Sequence, residues 1–229
     1  MNATIRGISS MATRALLAEL VAAYEARTGQ KVEVEAVGGV DAARRVQSGE
    51  AFDVVFLATD AIEKLAAAGP VVAGSRVDLV RSGVYAAVKS GAEKVDLSNA
   101  EAVKRAVLAA PTLGYSTGPS GVALMKLFER WGIAEQLKPK IVQAPPGVPV
   151  GSLVARGEVA LGFQQLSELI HLDGIDIAGP LPPDIQITTI FCGAVCAASG
   201  QADAVGRLLA FMASPEADDA KRRQGMEPA

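Results

Sequence analysis

Short polar turns that precede predicted helices are the residues of this sequence best suited to chemistry. Hydroxyl side chains donate to an anion without adding charge, and glycine lets the backbone approach a ligand closely. The turn with the densest set of such residues runs from Ser116 to Gly121. The residues of these turns that we predict to bind ligand are Ser9, Ser10, Gly38, Gly39, Thr59, Ser116, Thr117, Ser120 and Gly121.

Each of these turns follows a predicted strand. In an open parallel sheet the strands end at one edge, where the next helices direct unpaired N–H groups and positive dipole ends into a shared crevice. The sequence therefore predicts a site for a small anion. None of the turns has the GxxxxGK[ST] pattern, so nucleotide hydrolysis gains no support. A Ser or Thr before a helix is also an ordinary cap, and that alternative stays open for each turn.

Three longer side chains extend the predicted site. Arg81 stands just before a predicted strand, where its guanidinium would grip a carboxylate in bidentate fashion. Gln164 and Gln165 leave another strand together and would supply neutral amide donors. The alternative for Arg81 is a solvated surface position.

A catalytic base is not obvious in the sequence. Glu168 and Asp60 are weak candidates, because each sits beside a predicted ligand turn but is more often a cap or a surface carboxylate. His171 is expected to be structural or exposed. Cys192 and Cys196 lie four apart on a predicted strand, about 13 Å from Cα to Cα, so we expect them to stay reduced. We predict no metal site and no cofactor.

Charge and composition exclude some partners. The chain has 229 residues and a formal net charge of -3, which argues against nucleic acid, since that partner needs a basic surface. No stretch is long enough to span a bilayer, so membrane insertion is not expected. No leader precedes the first predicted strand. Two interpretations of the compartment stay open: a cytoplasmic protein, or a periplasmic one whose leader has been replaced by Met1.

The order of elements predicts an α/β protein. Strand, polar turn and helix recur three times in the first third of the chain, which is typical of mostly parallel sheets flanked by helices. We predict two lobes, 1–80 plus 190–229 and 81–189, with the ligand cleft between them. Two hinge crossings are expected near Leu79–Gly83 and Ile187–Phe191.

Several segments resemble the molybdate-binding type of bacterial solute-binding proteins. They are Thr4–Ser10, Tyr24–Gly29, Gly49–Val55, Leu153–Gly162 and Ala213–Ala217, and the resemblance covers nearly the whole chain. It implies the two-lobed fold of type II periplasmic binding proteins. It also implies that the backbone of the segment Val148–Val150, and Val150 in particular, contacts the anion.

Departures from the family pattern bear on the ligand. Molybdate binders carry serines where this chain has Gly38 and Gly39, and an oxyanion-donating tyrosine aligns with Gln165. Without these hydroxyls a tetrahedral oxyanion would be under-coordinated. The sequence is closer to a branch that resembles aconitate isomerase, which implies a di- or tricarboxylate received by Arg81 and the Ser116–Gly121 turn.

Two functions follow from the resemblance. The first is a solute-binding protein whose lobes close over a small anion, with a membrane permease of the ABC type as partner if the protein is exported. The alternative is an enzyme of the aconitate isomerase type, which moves a proton and a double bond between cis- and trans-aconitate.

Overall fold

Alternating strands and helices make up the computed structural model, which describes residues 3–229. In chain order the elements are β1 (Ile5–Ser10), α1 (Arg14–Thr28), β2 (Val32–Val37), α2 (Gly39–Gln47), β3 (Val54–Ala58), α3 (Thr59–Ala68), β4 (Val77–Lys89), α4 (Ala100–Ala109), β5 (Leu113–Tyr115), α5 (Pro119–Arg130), α6 (Ala134–Leu137), β6 (Ile141–Gln143), α7 (Val150–Ala155), β7 (Leu161–Gln165), α8 (Leu166–Leu169), β8 (Ile175–Pro180), β9 (Thr188–Val195), α9 (Ala202–Ala213), α10 (Asp218–Arg223) and β10 (Glu227–Pro228). They fall into two compact units. One unit extends to Arg81 and resumes at Ile190–Ala229, and the other is Ser82–Thr189.

The first unit is built on a sheet covered on both faces. Strands β2, β1 and β3 are parallel, and β9 joins β3 in antiparallel direction. Helices α1 and α9 cover one face through residues such as Leu16 and Leu209. Helices α2 and α3 cover the other face through Val46 and Ile62. This arrangement buries β3 completely, which explains its unbroken apolar sequence.

The second unit repeats this design with different helices. Strand β5 lies between β6 and β7 and is parallel to both, while β4 pairs antiparallel with β7 and β8. Helices α4 and α5 contribute Val103, Leu124 and Phe128 to one core. Helix α7 contributes Val150 and Val154 to a smaller core. In both units the parallel strands are followed by helices, as the sequence predicts.

Helix ends test the local predictions. Gly29 after a segment of helical periodicity predicts the end of a helix, and this prediction is confirmed. The residue has a left-handed φ of 71°, and its N–H donates to the Glu25 carbonyl at 2.8 Å. Ser98, with Glu101 three residues later, predicts a capping box, and this prediction is wrong. Asn99 caps α4 instead, because its side chain accepts from the Ala102 N–H at 3.0 Å. The prediction that Thr59 caps a helix is also wrong, since it is already the first residue of α3.

Candidate functional site

Strand β1 sends its last two serines to opposite sides of the sheet, because successive side chains alternate in a strand. A Cβ on Gly39, at the start of α2, would lie 3.4 Å from the Cβ of Ser10. The Ser9 hydroxyl instead donates to the Glu35 carbonyl at 3.4 Å and lines a cavity of about 410 Å³ with Leu17 and Val21 of α1. The sequence predicts both serines in the site, but only Ser10 adjoins a predicted ligand turn.

The Ser10 hydroxyl has an unusual environment. It is buried, and no hydrogen-bond partner reaches it among the described residues. Beside it, α2 begins with Gly38 as its N-cap, and its first turn leaves N–H groups that the helix cannot pair. We call Ser10, Gly38 and Gly39 the Ser10 cradle. It has one unused hydroxyl and a positive helix end, which is what an anion requires.

Thr59 and Asp60 are less well placed for a ligand. The Thr59 hydroxyl donates to the Ile190 carbonyl at 3.3 Å, so it ties α3 to β9. Asp60 is the second residue of α3 and is exposed to solvent. Its carboxylate lies where the helix dipole favours a negative charge, so a structural role accounts for it.

Arg81 lies within β4, not before a strand as predicted, and belongs to the first unit. Its side chain is exposed, and its Nε donates to the Pro228 carbonyl at 3.1 Å. Among the described residues no carboxylate lies within ion-pair distance of its guanidinium. The terminal nitrogens therefore remain suited to a bidentate carboxylate contact.

The turn from Ser116 to Gly121 forms the corresponding structure in the second unit. Gly118 is the N-cap of α5, and Pro119 is its first residue, a position where the missing N–H costs nothing. The hydroxyls of Ser116 and Ser120 lie 3.4 Å apart. A Cβ on Gly121 would lie 1.8 Å from the Ser116 carbonyl oxygen, so only glycine allows the turn to fold onto the helix.

This turn can bind an anion by the same physics as the Ser10 cradle. The N–H groups in the first turn of α5 have no carbonyl within the helix to pair with. α5 is 12 residues long, so its N-terminus carries a positive partial charge. Thr117, half-buried, lies in the same turn. The structure thus brings Ser116, Thr117, Ser120 and Gly121 together, as the sequence predicts.

The two glutamines at the end of β7 also diverge, although the sequence predicts that they act side by side. Gln165 faces the α5 side, and its Nε2 donates to the Thr189 hydroxyl at 3.3 Å. Gln164 faces α7, where its Oε1 accepts a hydrogen bond of 2.6 Å from the Val150 N–H. That N–H belongs to the Val148–Val150 segment, whose backbone the family resemblance assigns to the anion, and here it is already used inside the protein.

Glu168 stands out among the acidic residues. It lies in α8, directly after β7, and its side chain is near the Gln164 amide. Burial raises the pKa of this carboxyl from 4.5 to about 7, and the Gln164 amide lowers it only in part. The carboxyl therefore exchanges protons near neutral pH, where general acid–base catalysis is most effective.

Two further buried hydroxyls, Ser82 and Ser167, lack partners among the described residues. Ser167 precedes Glu168 in α8 and was not singled out by the sequence analysis. Its position two residues after Gln165 was the one feature of the sequence that could have identified it as a site residue. The sequence could not show that its hydroxyl is buried without a partner.

The remaining sequence expectations concern cysteines, histidine, metals and membranes. Cys192 and Cys196 are free and buried, and burial raises the pKa of Cys192 to about 11 and of Cys196 to about 12, so both thiols are unreactive. His171 is exposed. Within residues 3–229 no group of three or more His, Cys, Asp or Glu side chains is placed to hold a metal ion. No helix in that part of the chain is long and apolar enough to cross a membrane.

Relatives of known activity are found among sequences. The chain is 38% identical over 231 residues to an aconitate isomerase from a Pseudomonas species, covering 98% of this chain and 88% of that protein. It is 31% identical over 160 residues to a molybdate-binding protein from Azotobacter vinelandii, covering 68% of this chain and 62% of that one. These two relatives match the resemblance drawn from the sequence.

Solved structures confirm the predicted fold. A periplasmic molybdate-binding protein from Azotobacter vinelandii superposes with a TM-score of 0.81 at 18% identity, covering 97% of this chain and 98% of the other. The fold is that of type II periplasmic binding proteins. The family model for bacterial extracellular solute-binding proteins matches residues 5–227. The chain is therefore a member of the bacterial extracellular solute-binding protein family.

Proposed function

We propose that this protein binds a small unsaturated polycarboxylate of the aconitate type and isomerises it by moving a proton from one carbon to another. The observation that carries the proposal is the 38% identity to an aconitate isomerase over 98% of the chain. The Ser10 cradle and the Ser116–Gly121 turn would each be able to receive a carboxylate. Arg81 would add a cationic contact.

The donors support a carboxylate ligand over a tetrahedral oxyanion. The Ser10 cradle offers one side-chain hydroxyl, and the glycines at 38 and 39 add only backbone N–H groups. Gln165 holds the position of the tyrosine in molybdate binders, and its amide is engaged by Thr189. A molybdate ion stripped of water would find too few donors around one centre. Carboxylates that are spread along a carbon chain need only one or two donors each, at separate places.

A nearly neutral carboxyl group supports chemistry on that ligand. A binding site for a permanent anion gains nothing from a buried carboxylate, which would repel it. Glu168 has a pKa of about 7, so it is protonated in part of the molecules at neutral pH. Such a group can hold or release a proton next to an anionic ligand.

The test is an absorbance assay with purified protein. Aconitate absorbs in the ultraviolet, and cis- and trans-aconitate should approach the same final composition from both sides. Binding is measured in parallel by calorimetry with saturated propane-1,2,3-tricarboxylate, which has the same carboxylates and no double bond to move. Molybdate and sulfate serve as competing anions. The proposal would be overturned if neither aconitate nor the saturated tricarboxylate bound to the protein.

The family to which the chain belongs favours a second candidate, binding without turnover, with delivery to an ABC permease if the protein is exported. This candidate predicts tight binding of a tricarboxylate with no change in its isomer composition over hours. The same assay therefore separates the two candidates.

A further inference from the structure

We propose that Glu168 is the catalytic residue that takes the proton from one carbon of the ligand and returns it to another, and that Gln164 is the residue that positions it. This inference rests on the isomerase function proposed above and names the group that performs it. It follows from the contacts at the end of β7, where the Val150 N–H orients the Gln164 amide and that amide lies beside Glu168.

Val150 determines how the Gln164 amide is oriented. A backbone N–H can only donate, so the Gln164 atom that lies 2.6 Å from it must be the oxygen. The Nε2 end of the amide is thereby directed away from Val150, and the amide lowers the pKa of the neighbouring Glu168 carboxyl. Because Gln164 is 1% exposed, water cannot compete for the bond to Val150. Val150 thus fixes the orientation of the amide beside Glu168.

No charged group contributes to the pKa shift of Glu168. Helix α8 packs against β7 and α7, and neither of these elements contains an ionisable residue. Within α8 itself Glu168 is the one acidic residue and no basic residue is present. The nearest ionisable residues along the chain are His171 and Asp173, and neither is a cause of the pKa shift of Glu168. Burial therefore acts on this carboxyl without a compensating cation.

The hydroxyl of Ser167 adds an independent observation. It is buried next to Glu168 in sequence and has no hydrogen-bond partner among the described residues. A buried hydroxyl without a partner costs about 1–3 kcal/mol, so its retention needs a reason. A ligand oxygen bound beside Glu168 would accept from it.

Asp60, the other candidate base, lacks these features. It is exposed at the start of α3, where bulk water solvates the carboxylate. The structure therefore distinguishes two carboxylates that the sequence left equal.

The proposed step balances without any other reactant. Ionised Glu168 takes a proton from the saturated carbon next to the double bond, so that a C–H bond breaks and an O–H bond forms. The electron pair enters the conjugated system and is carried by the adjoining carboxylate, whose extra charge the helix N-termini and hydroxyls stabilise. Glu168 then gives the proton to the far carbon of the former double bond. The double bond has moved by one position, and the carboxylate is regenerated.

The experiment compares three forms of the full chain: the wild type, Glu168→Gln and Glu158→Gln. Glutamine keeps the size of Glu168 and can still accept from Gln164, but it cannot exchange a proton with carbon. Glu158 is a half-exposed carboxylate of the same unit, paired with Arg156 on the surface. Turnover of aconitate is followed by absorbance, and entry of solvent deuterium into the ligand is followed by NMR in D₂O.

We expect the rates of turnover and of deuterium entry to be about 10²–10⁴-fold lower in Glu168→Gln, which is the usual rate contribution of a general acid–base group. Its affinity for saturated propane-1,2,3-tricarboxylate should stay within about threefold, and Glu158→Gln should match the wild type. Glu168→Gln with turnover like that of the wild type would overturn the inference and leave the isomerase function standing. A wild type that binds aconitate without turnover or deuterium entry would overturn both, and tricarboxylate binding alone would remain.

Discussion

The backbone N–H of Val150 and the side-chain oxygen of Gln164 are joined by a hydrogen bond of 2.6 Å in the interior of the second unit. This bond uses the first N–H of α7, which would otherwise be available to a ligand. It also turns the amide nitrogen of Gln164 toward Glu168. In this chain the start of α7 serves to position a carboxyl group.

Replacing Gln164 by methionine should change both stability and the pH profile. The Val150 N–H would lose its partner, which costs about 1–3 kcal/mol of the free energy of unfolding. Loss of the Gln164 amide should raise the pKa of Glu168 further, because that amide lowers it at present. The acid limb of kcat/KM should therefore move to higher pH. Gln143→Met, at an exposed position of β6, is the control. A stability loss without a shift of the limb would leave Gln164 with a structural role only.

Replacing Glu168 by glutamine should stabilise the protein in a pH-dependent way. The pKa is raised on folding, so ionisation of Glu168 opposes the folded state; the cost is absent below about 4.5 and complete above about 7. The difference between these values corresponds to at most about 3 kcal/mol. Thermal unfolding should show equal Tm for variant and wild type at pH 4.5, and a higher Tm for the variant at pH 8. A constant difference across this range would contradict the burial of the carboxyl.

Replacing Ser10 by alanine should separate binding from folding. Its hydroxyl has no partner in the described part of the protein, so its removal should leave the free energy of unfolding unchanged or slightly raised. If the hydroxyl donates to a carboxylate, affinity should fall by about 1.5–3 kcal/mol, as measured by calorimetry with propane-1,2,3-tricarboxylate. Ser48→Ala, in an exposed turn of the same unit, should leave affinity unchanged. Equal affinities for both variants would remove Ser10 from the site.

Replacing Arg81 by alanine should weaken binding of the same tricarboxylate by about 2–5 kcal/mol, since a carboxylate would lose its cationic partner. Arg76→Ala is a matched control, because Arg76 is paired with Glu63 and Asp78 on the surface of the same unit. The result that would count against Arg81 is a dissociation constant equal to that of the control.

Replacing Gly121 by alanine should unfold the turn that begins α5. The added methyl group would overlap the Ser116 carbonyl oxygen, at 1.8 Å, and the free energy of unfolding should fall by about 3 kcal/mol or more. Gly206 in α9 is the opposite case, because nothing lies within 4 Å of the added methyl group. Gly206→Ala should raise stability by about 0.5–1 kcal/mol, measured by urea unfolding. Equal stability of the two variants would contradict the close approach of residue 121 to the Ser116 carbonyl oxygen.

Local signals in the sequence determined the elements of this protein. Hydrophobic periodicity and glycine stops predict the βα order and the end of α1 at Gly29, because these depend on residues a few positions apart. Polar residues at strand ends likewise identify the Ser116–Gly121 turn. The first residue of a helix is harder to predict, because neighbouring polar residues can cap it equally well. Asn99 caps α4, although Ser98 beside it is also a suitable cap residue.

Tertiary structure alone decided which of these polar residues act together. Adjacent serines at 9 and 10, and glutamines at 164 and 165, look alike in sequence, but the pleat of the strand sends each pair to opposite faces with different neighbours. The environment of Glu168 depends on Gln164 and on Val150, which lies 18 residues earlier in the chain. Burial and the loss of water that raise its pKa arise only when α7 and β7 pack around it. A pattern of residue types contains no measure of that packing, so the sequence could not choose Glu168 over Asp60.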